Sequence, residues 1–329
     1  MHMSGGMIKY ISRHNKDYSR YNIIKQLLKN VICKNDIYIL LPFSKNQFIK
    51  HFFKRNKIVN DFFISNYDTY VNDRKKISKY NPRAWWKFFQ DWLNFKFSKY
   101  LIADTKKHFN YWEKLFGKFH GKYFILPVLA DKNIYYPSIN KNPNKTVEIL
   151  FYGSFIPLHG IDIILNAFKI IENKKIKFKA KIIGNGQTYQ IMKKLFNELS
   201  LKQVTMNGNF IDEKLLANEI RTTDIVLGIF GNSTKALSVI PNKVYQALAC
   251  KKPIITMKSD AIDEFFNKED IVQCENTPNE LAKELILLIK NQKIREQIST
   301  NGYNHFIELY NKTQKDFIKF IKSLDKDYL

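Results

Sequence analysis

The hydrophobic and polar positions in the first part of the chain alternate between strand-like runs and segments with a helical period. Short runs of β-branched and aromatic residues predict strands, and apolar residues spaced three and four apart predict helices. The predicted strands are Ile8 to Ser12, Asp36 to Leu41, Phe62 to Ser65, Leu101 to Ala103 and Tyr123 to Leu126. The predicted helices are Arg20 to Asn30, Pro82 to Tyr100 and a segment through Trp112. This alternation is typical of an α/β domain.

The same alternation begins again after a polar, proline-containing stretch, Pro137 to Lys145. Each strand predicted there is followed by a helix or by a loop leading into one: Val147 to Tyr152, Phe178 to Ile183, Val204 to Asn207, Ile225 to Phe230 and Pro253 to Thr256. Short apolar strands separated by helices predict a parallel sheet covered on both faces. The final run, Leu281 to Leu329, is predicted to be helical, to pack on the second domain and to return to the first.

We therefore predict an α/β protein of two Rossmann-like domains joined by a linker. The boundary is placed near Asn142, which gives an N-terminal domain of residues 7–141, a C-terminal domain of residues 142–310 and a terminal helix of residues 311–329. A chain of 329 residues with 45% hydrophobic residues is long enough for two cores. The first six residues, MHMSGG, are interpreted as an added segment ahead of Met7.

The composition also bears on location. No apolar stretch approaches the roughly 20 residues needed to cross a bilayer, and nothing near Met7 resembles a signal peptide. A cytoplasmic location is expected, with the inner face of the cell membrane as an alternative. The three cysteines, Cys33, Cys250 and Cys274, are far apart and are expected to be reduced.

The formal net charge of +24 suits an anionic partner such as a phosphate ligand, an acidic membrane surface or nucleic acid. Compositional drift toward lysine explains the charge equally well. The chain shows no recognisable zinc finger, RNA-recognition signature or basic coiled coil, so nucleic acid is not an expected partner. The aromatic, lysine-containing helix around Trp85 fits either a domain core or a membrane interface.

Three glycine-containing segments each follow a predicted strand, where open parallel sheets place their ligands. They are Tyr152 to Gly160, Ile183 to Gly186 and Gly228 to Ala249. The candidate ligand-binding residues in these segments are Gly153, Ser154, His159, Gly160, Gly184, Asn185, Gly186, Lys235, Ser238, Asn242, Lys243 and Gln246. The alternative is that the glycines only form turns, that His159 only caps one and that the lysines lie on a solvated loop.

Lys243 is the most informative of these residues. Pro241 can begin a helix without losing a needed donor, which places Asn242 and Lys243 in the first helical turn. A lysine there opposes the helix dipole. An anionic ligand shared by the first-turn amides, Lys243 and Lys235 would remove that conflict.

The strings YGSFIPLHG, IIGNG and LGIFGNSTKALSVIPNKVYQALACKKPIIT, followed by Asp263 and Glu264, occur in this order. They resemble the C-terminal domain of retaining family-4 GT-B glycosyltransferases, and most closely a bacterial branch with FIPLHG and VIPNK strings. The match covers most of residues 147–310. Tyr67 to Arg74, and Ala103 to Thr105 with His108, resemble the same branch more loosely.

The resemblance implies a GT-B fold, with two Rossmann-like domains facing across a cleft and a C-terminal helix returning to the N-terminal domain. It also implies a nucleotide-diphosphate sugar as donor, transfer with retention at the anomeric carbon, and neither a cofactor nor an obligatory metal. In typical members an arginine and a lysine hold the diphosphate, and two glutamates eight positions apart bind the sugar and the ribose. Other residues stand at these four positions: Ser154, His159, Ser238 and Gln246. We expect Lys235 and Lys243 to replace the missing cations, and Gln246 can still bond ribose hydroxyls.

A glycosyl group leaving a diphosphate develops negative charge on the departing oxygen, so Lys243 beside a helix N-terminus is the donor-side catalytic candidate. The resemblance places acceptor-side residues after an N-terminal strand. Asp68 and Asp73 are the candidates there, Arg13 and His14 are weaker ones, and a solvated loop remains the alternative. The string Asp325-Lys326-Asp327 is interpreted as a solvated chain end and not as a metal-ligand pair.

The expected function is metal-independent, retaining transfer of a sugar from a nucleotide-diphosphate sugar to a glycan or lipid-linked acceptor, a cell-surface glycan or glycolipid precursor. Peripheral association with an anionic membrane is open. The alternatives are a GT-B nucleotide-sugar epimerase, a nucleotide-sugar-binding protein without turnover and, more remotely, a basic nucleic-acid-binding protein.

Overall fold

The computed structural model describes residues 7–12, 19–138 and 146–326. The chain forms two compact units. The N-terminal unit comprises the described residues up to Val128 and those from Tyr310 onward, and the C-terminal unit comprises Leu129–Leu309. The predicted boundary at Asn142, the segment MHMSGG and the weaker candidates Arg13 and His14 lie outside the described residues.

The N-terminal unit contains a parallel sheet of five described strands in the order β1-β2-β3-β4-β5. The strands are β1 (Ile8–Ile11), β2 (Ile37–Leu40), β3 (Ile58–Asp61), β4 (Tyr100–Ala103) and β5 (Lys122–Ile125). The α-helices before Val128 are α1 (Ser19–Leu27), α2 (Lys45–Lys50), α3 (Pro82–Phe97) and α4 (Lys106–Phe116). A 3₁₀ helix, Phe52–Lys57, and a π-helical turn, Asp68–Asp73, complete this part.

Local sequence explains where two of these helices begin. The Asn81 side chain accepts a hydrogen bond from the Arg83 amide, and Pro82 occupies the first turn of α3. The Thr105 side chain accepts from the His108 amide and begins α4. At the other end of α4, Gly117 has a φ of 87°, a conformation that favours glycine.

The predicted strand Phe62 to Ser65 is wrong, because the strand lies four residues earlier, at β3. All four β3 residues are buried, although two are polar. Asn60 Nδ2 donates to Ser98 Oγ at 3.0 Å, and Asp61 receives a bidentate pair of hydrogen bonds from Arg20 at 3.0 and 3.1 Å. These partners permit the burial, and the hydrophobic pattern contains no sign of them.

The buried face of helix α3 carries both polar and apolar residues, and much of its aromatic face is exposed to solvent. Its buried residues are Ala84, Gln90, Asp91, Asn94 and Phe95. By contrast, Trp85, Trp86 and Phe89 are 68%, 57% and 44% exposed. The interpretation of the aromatic face as ordinary core is therefore wrong for these three rings.

The C-terminal unit contains a parallel sheet of six described strands in the order β11-β10-β9-β6-β7-β8. The strands are β6 (Glu148–Tyr152), β7 (Lys179–Ile183), β8 (Val204–Asn207), β9 (Ile225–Leu227), β10 (Ile254–Met257) and β11 (Val272–Cys274). The helices that begin in this unit are α5 (Ile161–Asn173), α6 (Tyr189–Glu198), α7 (Glu213–Thr222), α8 (Thr234–Ser238), α9 (Asn242–Ala249), α10 (Asp260–Asp263), α11 (Pro278–Lys290) and α12 (Gln292–Lys326). The predicted strands are confirmed to within one residue, except that β9 ends at Leu227 and that β11 was not predicted.

The apolar strands explain this sheet. Ile149 and Phe151 on β6 are buried with Ile164 and Phe168 of α5 and Leu285 of α11 in one core cluster. The final helical run is confirmed as helical, but it consists of two helices separated at Asn291. From Tyr310 onward, α12 belongs to the N-terminal unit.

The end of α12 corrects one expectation. Asp325 is not a solvated residue, because its carboxylate accepts hydrogen bonds from the backbone amides of Lys34 and Asn35 at 2.5 and 2.8 Å. Asp327 lies outside the described residues. Within the described ranges, no helix combines the length and the apolar character needed to cross a membrane.

Candidate functional site

The strand order of the C-terminal unit defines where a ligand is expected. Strand β6 lies between β7 and β9; the chain continues from β6 to β7 and β8 on one side, and from β9 to β10 and β11 on the other. Open parallel sheets bind ligands at the carboxyl ends of strands where the order reverses in this way. Two of the three predicted glycine segments directly follow β6 and β9.

The structure brings the three glycine segments into contact. A Cβ atom added to Gly153 would lie 2.9 Å from His159 Cε1 and 3.3 Å from Lys243 Nζ. A Cβ added to Gly184 would lie 2.0 Å from the Gly153 carbonyl oxygen. Gly153 and Gly184 also have φ values of 140° and 138°. Glycine is therefore needed at both positions for the turns to pack together.

The remaining glycines of the first two turns have packing roles as well. A Cβ on Gly160 would lie 2.5 Å from the Phe230 carbonyl oxygen, and one on Gly186 would lie 2.8 Å from the Phe155 nitrogen. The Phe230 amide donates to the His159 carbonyl oxygen at 3.1 Å. These contacts fix the turn after β6 against the segment after β9.

Lys243 is buried at the meeting point of these segments. Its side chain comes from the first turn of α9, as predicted, and the residue is 4% exposed. The ammonium group lies 3.9 Å from the centre of the Phe151 ring and 3.3 Å from the Gly228 carbonyl oxygen, to which it donates a hydrogen bond. No carboxylate pairs with it anywhere in the described ranges. Burial lowers the pKa of Lys243 well below its ordinary value, because the charged form loses its hydration.

The helix that carries Lys243 leaves amide donors at the same place. The N-cap residue of α9, Pro241, makes no side-chain capping hydrogen bond, and the first donor satisfied there is the Val244 amide, bonded to the Pro241 carbonyl oxygen at 2.9 Å. A helix N-terminus carries partial positive charge. Together with Lys243 it forms a region of positive potential with the chemistry to hold an anion.

His159 and Ser154 occupy the other side of the turn after β6. His159 Nδ1 lies within hydrogen-bonding distance of the Ser154 carbonyl oxygen. Since a carbonyl can only accept, Nδ1 carries the proton, and Nε2 of the neutral ring is then the acceptor nitrogen. His159 is buried, whereas the Ser154 side chain is exposed.

A family model described as "Glycosyl transferases group 1" matches residues 135–305, more than half of the chain. The matched region contains the whole candidate site at the switch point, the carboxyl ends of β6 and β9 where the strand order reverses. The chain belongs to this family.

Curated relatives and solved structures agree with this assignment. An uncharacterised glycosyltransferase of Methanocaldococcus jannaschii is 24% identical over 155 residues, 46% of this chain and 41% of that protein. The aligned segments span less than half the length of each curated relative that matches.

Among solved structures, sucrose-phosphate synthase from Thermosynechococcus elongatus superposes with a TM-score of 0.68 at 12% identity, covering 93% of this chain and 78% of that one. Anabaena HepE in complex with UDP-glucose gives 0.66 at 14% identity, covering 92% and 82%. The predicted GT-B fold of two parallel-sheet domains is confirmed.

Gln246 is already hydrogen-bonded through both its amide oxygen and its amide nitrogen. The Tyr152 hydroxyl donates to Gln246 Oε1 at 2.7 Å, and Gln246 Nε2 donates to the Tyr135 hydroxyl at 2.8 Å. Tyr135 in turn donates to Glu213 Oε1 at 3.3 Å. One N–H of Gln246 remains for a ribose hydroxyl. The predicted contact with the ribose stays a prediction, now limited to this one donor.

The sequence analysis did not predict the other three members of this hydrogen-bond network, Tyr152, Tyr135 and Glu213. Burial raises the pKa of Tyr152 and Tyr135 far above the ordinary value and also raises that of Glu213. Tyr135 and Glu213 are far from Gln246 in sequence, and no motif marks them. Of the three, Tyr152 could have been found from the sequence, because it directly precedes Gly153 in the first glycine segment.

Of the four other residues predicted to contact the donor, Lys235, Ser238 and Asn242 lie on short helices, and Asn185 lies in the turn after β7. Lys235 is half-buried on α8, and the alternative that it lies on a solvated loop is wrong because Ser233 caps a helical turn there by accepting from the Ala236 amide at 3.1 Å. Ser238 is buried and donates to the Thr234 carbonyl oxygen at 2.8 Å. Asn242 is exposed at the start of α9, and Asn185 accepts from the Gly186 amide at 2.7 Å.

The candidates Asp68 and Asp73 lie in the N-terminal unit, at the two ends of the π-helical turn. They are only 1% and 5% exposed. Asp68 Oδ1 accepts from the Tyr111 hydroxyl at 2.7 Å and from Asn72 at 3.2 Å. These contacts hold the turn, and a role toward an acceptor stays a prediction. No group of three or more possible metal-ligating side chains occurs in the ranges that the structure describes.

Proposed function

We propose that this glycosyltransferase moves a sugar from a nucleotide-diphosphate sugar to a glycan or lipid-linked acceptor, a precursor of a cell-surface glycan or glycolipid. The proposed reaction is of the retaining family-4 type and needs no metal. Peripheral association with an anionic membrane is part of the proposal, because it would bring a lipid-linked acceptor to the enzyme.

The observation that carries the proposal is the buried ammonium group of Lys243 at the switch point. A buried lysine without a carboxylate destabilises the empty protein, since aromatic rings and one carbonyl oxygen offset only part of the lost hydration of its charge. A bound diphosphate supplies the missing anion. The UDP-glucose complex of Anabaena HepE, a protein of the same fold, supports a nucleotide sugar as the source of that diphosphate.

Lys243 also explains how the site would accelerate transfer. As the bond between the sugar and the diphosphate breaks, negative charge grows on the leaving phosphate oxygen. A fixed cation and the amides of α9 attract this charge more strongly in the transition state than in the bound donor. His159, with Nε2 protonated so that it can donate, and Ser154 are proposed to complete the phosphate side. Gln246 is proposed to meet the ribose with its remaining N–H.

Thermal unfolding with a panel of nucleotides tests the donor class. A ligand at about a hundred times its dissociation constant should stabilise the protein by roughly 2.7 kcal/mol. We expect nucleoside diphosphates and their sugars to raise the melting temperature, and the matching monophosphate to raise it much less, because the monophosphate lacks the second phosphate. Equal shifts for mono- and diphosphates, or no shift with any of them, would contradict the assignment.

Product analysis then separates the enzymatic alternatives. Transfer should release nucleoside diphosphate only when an acceptor is present, and NMR of the product should show the anomeric configuration of the donor. Interconversion of the donor sugar without acceptor would instead identify an epimerase. Donor binding without either reaction would leave a nucleotide-sugar-binding protein.

A further inference from the structure

Six aromatic side chains form a continuous strip on the N-terminal unit, here called the aromatic strip: Trp86, Phe89, Trp92, Phe97, Phe52 and Phe53. Along α3, Trp86 stacks on Phe89 and Phe89 on Trp92, each with ring centres 5.9 Å apart. The strip continues at separations of 5.6 to 6.2 Å onto the 3₁₀ helix Phe52–Lys57. Residues of two separate elements thus share one apolar surface.

This surface is open to solvent. Phe53 is 96% exposed, Trp86 57%, and Phe89 and Phe97 are 44% and 43% exposed. Single exposed apolar residues are common in soluble proteins, but a contiguous aromatic surface marks an interaction site. The strip therefore requires a partner that accepts several rings side by side.

The exposed charges of the stretch of chain that carries the strip have one sign, and the nearest carboxylate in sequence before it, Asp36, is half-buried and lies near Lys57. Between Ile37 and Trp112 all carboxylates are buried: Asp61, Asp68, Asp73, Asp91 and Asp104. The exposed cations of the same stretch are Lys50, Lys54, Lys57, Lys75, Lys76, Lys79, Arg83, Lys99, Lys106 and Lys107. In addition, the Arg55 guanidinium lies 4.5 Å over the Phe52 ring. The outward charge of this stretch is therefore entirely positive.

We propose that the aromatic strip and its flanking lysines dock this protein on a lipid bilayer that contains acidic headgroups. Tryptophan and phenylalanine enter the boundary between headgroups and acyl chains, and lysines on the same surface attract acidic lipid. The inference deepens the membrane part of the proposed function by assigning it a surface, and it concerns binding that occurs without any sugar transfer.

A bilayer fits the strip better than single-stranded nucleic acid. Bases bind proteins by stacking on free aromatic faces. In the strip, Trp86, Phe89 and Trp92 already turn their faces toward one another, with interplanar angles of 28°. Their outer edges form one apolar layer, which a bilayer interface can cover as a whole.

Vesicle co-sedimentation of the full chain tests the proposal. Vesicles of phosphatidylcholine with phosphatidylglycerol should bind the protein, vesicles of phosphatidylcholine alone should bind it weakly, and rising salt should release it. The double variant Trp86→Ser/Phe89→Ser should lower the partition coefficient roughly tenfold or more, because two interfacial rings are lost. The variant Lys50→Gln/Lys54→Gln should lower it roughly fivefold for each lysine on acidic vesicles only.

Phe210→Ser provides the matched control, since Phe210 is 81% exposed but belongs to the C-terminal unit. It should leave vesicle binding unchanged. Thermal unfolding and binding of a nucleoside diphosphate, measured for every variant, should also be unchanged. Vesicle binding and nucleotide binding can therefore fail independently, which distinguishes failure of this inference from failure of the proposed function.

Three results would overturn the assignment: no binding to acidic vesicles, equal loss of binding in Phe210→Ser, or RNA binding that depends on Trp86 and Phe89 in the absence of vesicle binding. The last result would assign the strip to nucleic acid. A shift of tryptophan fluorescence to shorter wavelength on acidic vesicles, reduced in Trp86→Ser, would support insertion of the strip at the interface.

Discussion

Among the described residues, each unit buries one lysine against a phenylalanine ring, and the two lysines differ in whether a carboxylate pairs with them. In the N-terminal unit, Lys45 is 6% exposed, lies 4.2 Å from the centre of the Phe62 ring and pairs with Asp91. In the C-terminal unit, Lys243 is 4% exposed and lies 3.9 Å from the Phe151 ring, but no carboxylate within the described chain pairs with it.

The surroundings of the two lysines show what the difference means. Asp91 also accepts hydrogen bonds from the Ser65 hydroxyl and the Tyr67 amide, both at 2.7 Å. The Lys45 pair therefore belongs to a network that joins α2 and α3 to the segment before the π-helical turn, and it serves structure. Around Lys243, within the described residues, the rings of Phe151 and Tyr152 and one carbonyl oxygen compensate the charge in part, and no carboxylate does. A buried cation that the protein itself leaves partly uncompensated indicates a ligand site.

The largest expected effect is on the stability of the N-terminal unit. Lys45→Met removes the cation and leaves Asp91 buried without its ion-pair partner, which should lower the free energy of unfolding by roughly 3–5 kcal/mol. Urea unfolding followed by hydrogen exchange would measure the loss in that unit. The double variant Lys45→Met/Asp91→Asn is the control; its amide oxygen can still accept from Ser65 and Tyr67, so most of the stability should return. A single variant as stable as the natural protein would show that the pair is not structural.

The next effect separates catalysis from stability. Lys243→Met should lower the rate of sugar transfer roughly a hundredfold or more, the scale seen when one preorganised stabilising group is lost. The same change should leave the melting temperature equal or higher, because it removes a buried charge and leaves behind only the Gly228 carbonyl oxygen, not an unpaired carboxylate. Lys235→Met should lower transfer less, since Lys235 is half-buried on a short helix. Near-normal turnover of Lys243→Met would move the diphosphate role to Lys235 or His159.

The smallest effect is a pH dependence of stability that should be specific to Lys243. Its pKa is lowered in the folded protein, so between that value and the ordinary value of 10.5 the unfolded chain binds more protons. The free energy of unfolding should therefore rise with pH in this window, by up to roughly 1 kcal/mol per pH unit. The stability advantage of Lys243→Met over the natural protein should be largest at lower pH and should shrink as the pH rises. Urea titrations between about pH 7 and pH 9 would measure it, and parallel curves for the two proteins would contradict the assignment.

The C-terminal unit was more predictable from sequence than the N-terminal unit, for a physical reason. Strand β6 is mostly apolar, strand β7 alternates exposed lysines with buried apolar residues, and glycines follow both, so periodicity and turn signals agree. Strand β3 buries Asn60 and Asp61, and α3 buries Gln90, Asp91 and Asn94. Their burial depends on partners far away in the chain, so a local pattern places the strand too late and misjudges which face of the helix lies inside.

The sequence by itself determined the alternation of strands and helices, the glycine turns after β6, β7 and β9, and the place of Lys243 in the first turn of its helix. These features depend on residues that are neighbours in the chain, and so they can be read locally. Only the tertiary structure decided that Lys243 is buried without a carboxylate, that Gln246 is bonded to Tyr152 and Tyr135, and that Phe52 and Trp86 belong to one exposed strip. Burial, pairing and surface continuity are relations between distant segments, and they exist only once the sheets have brought those segments together.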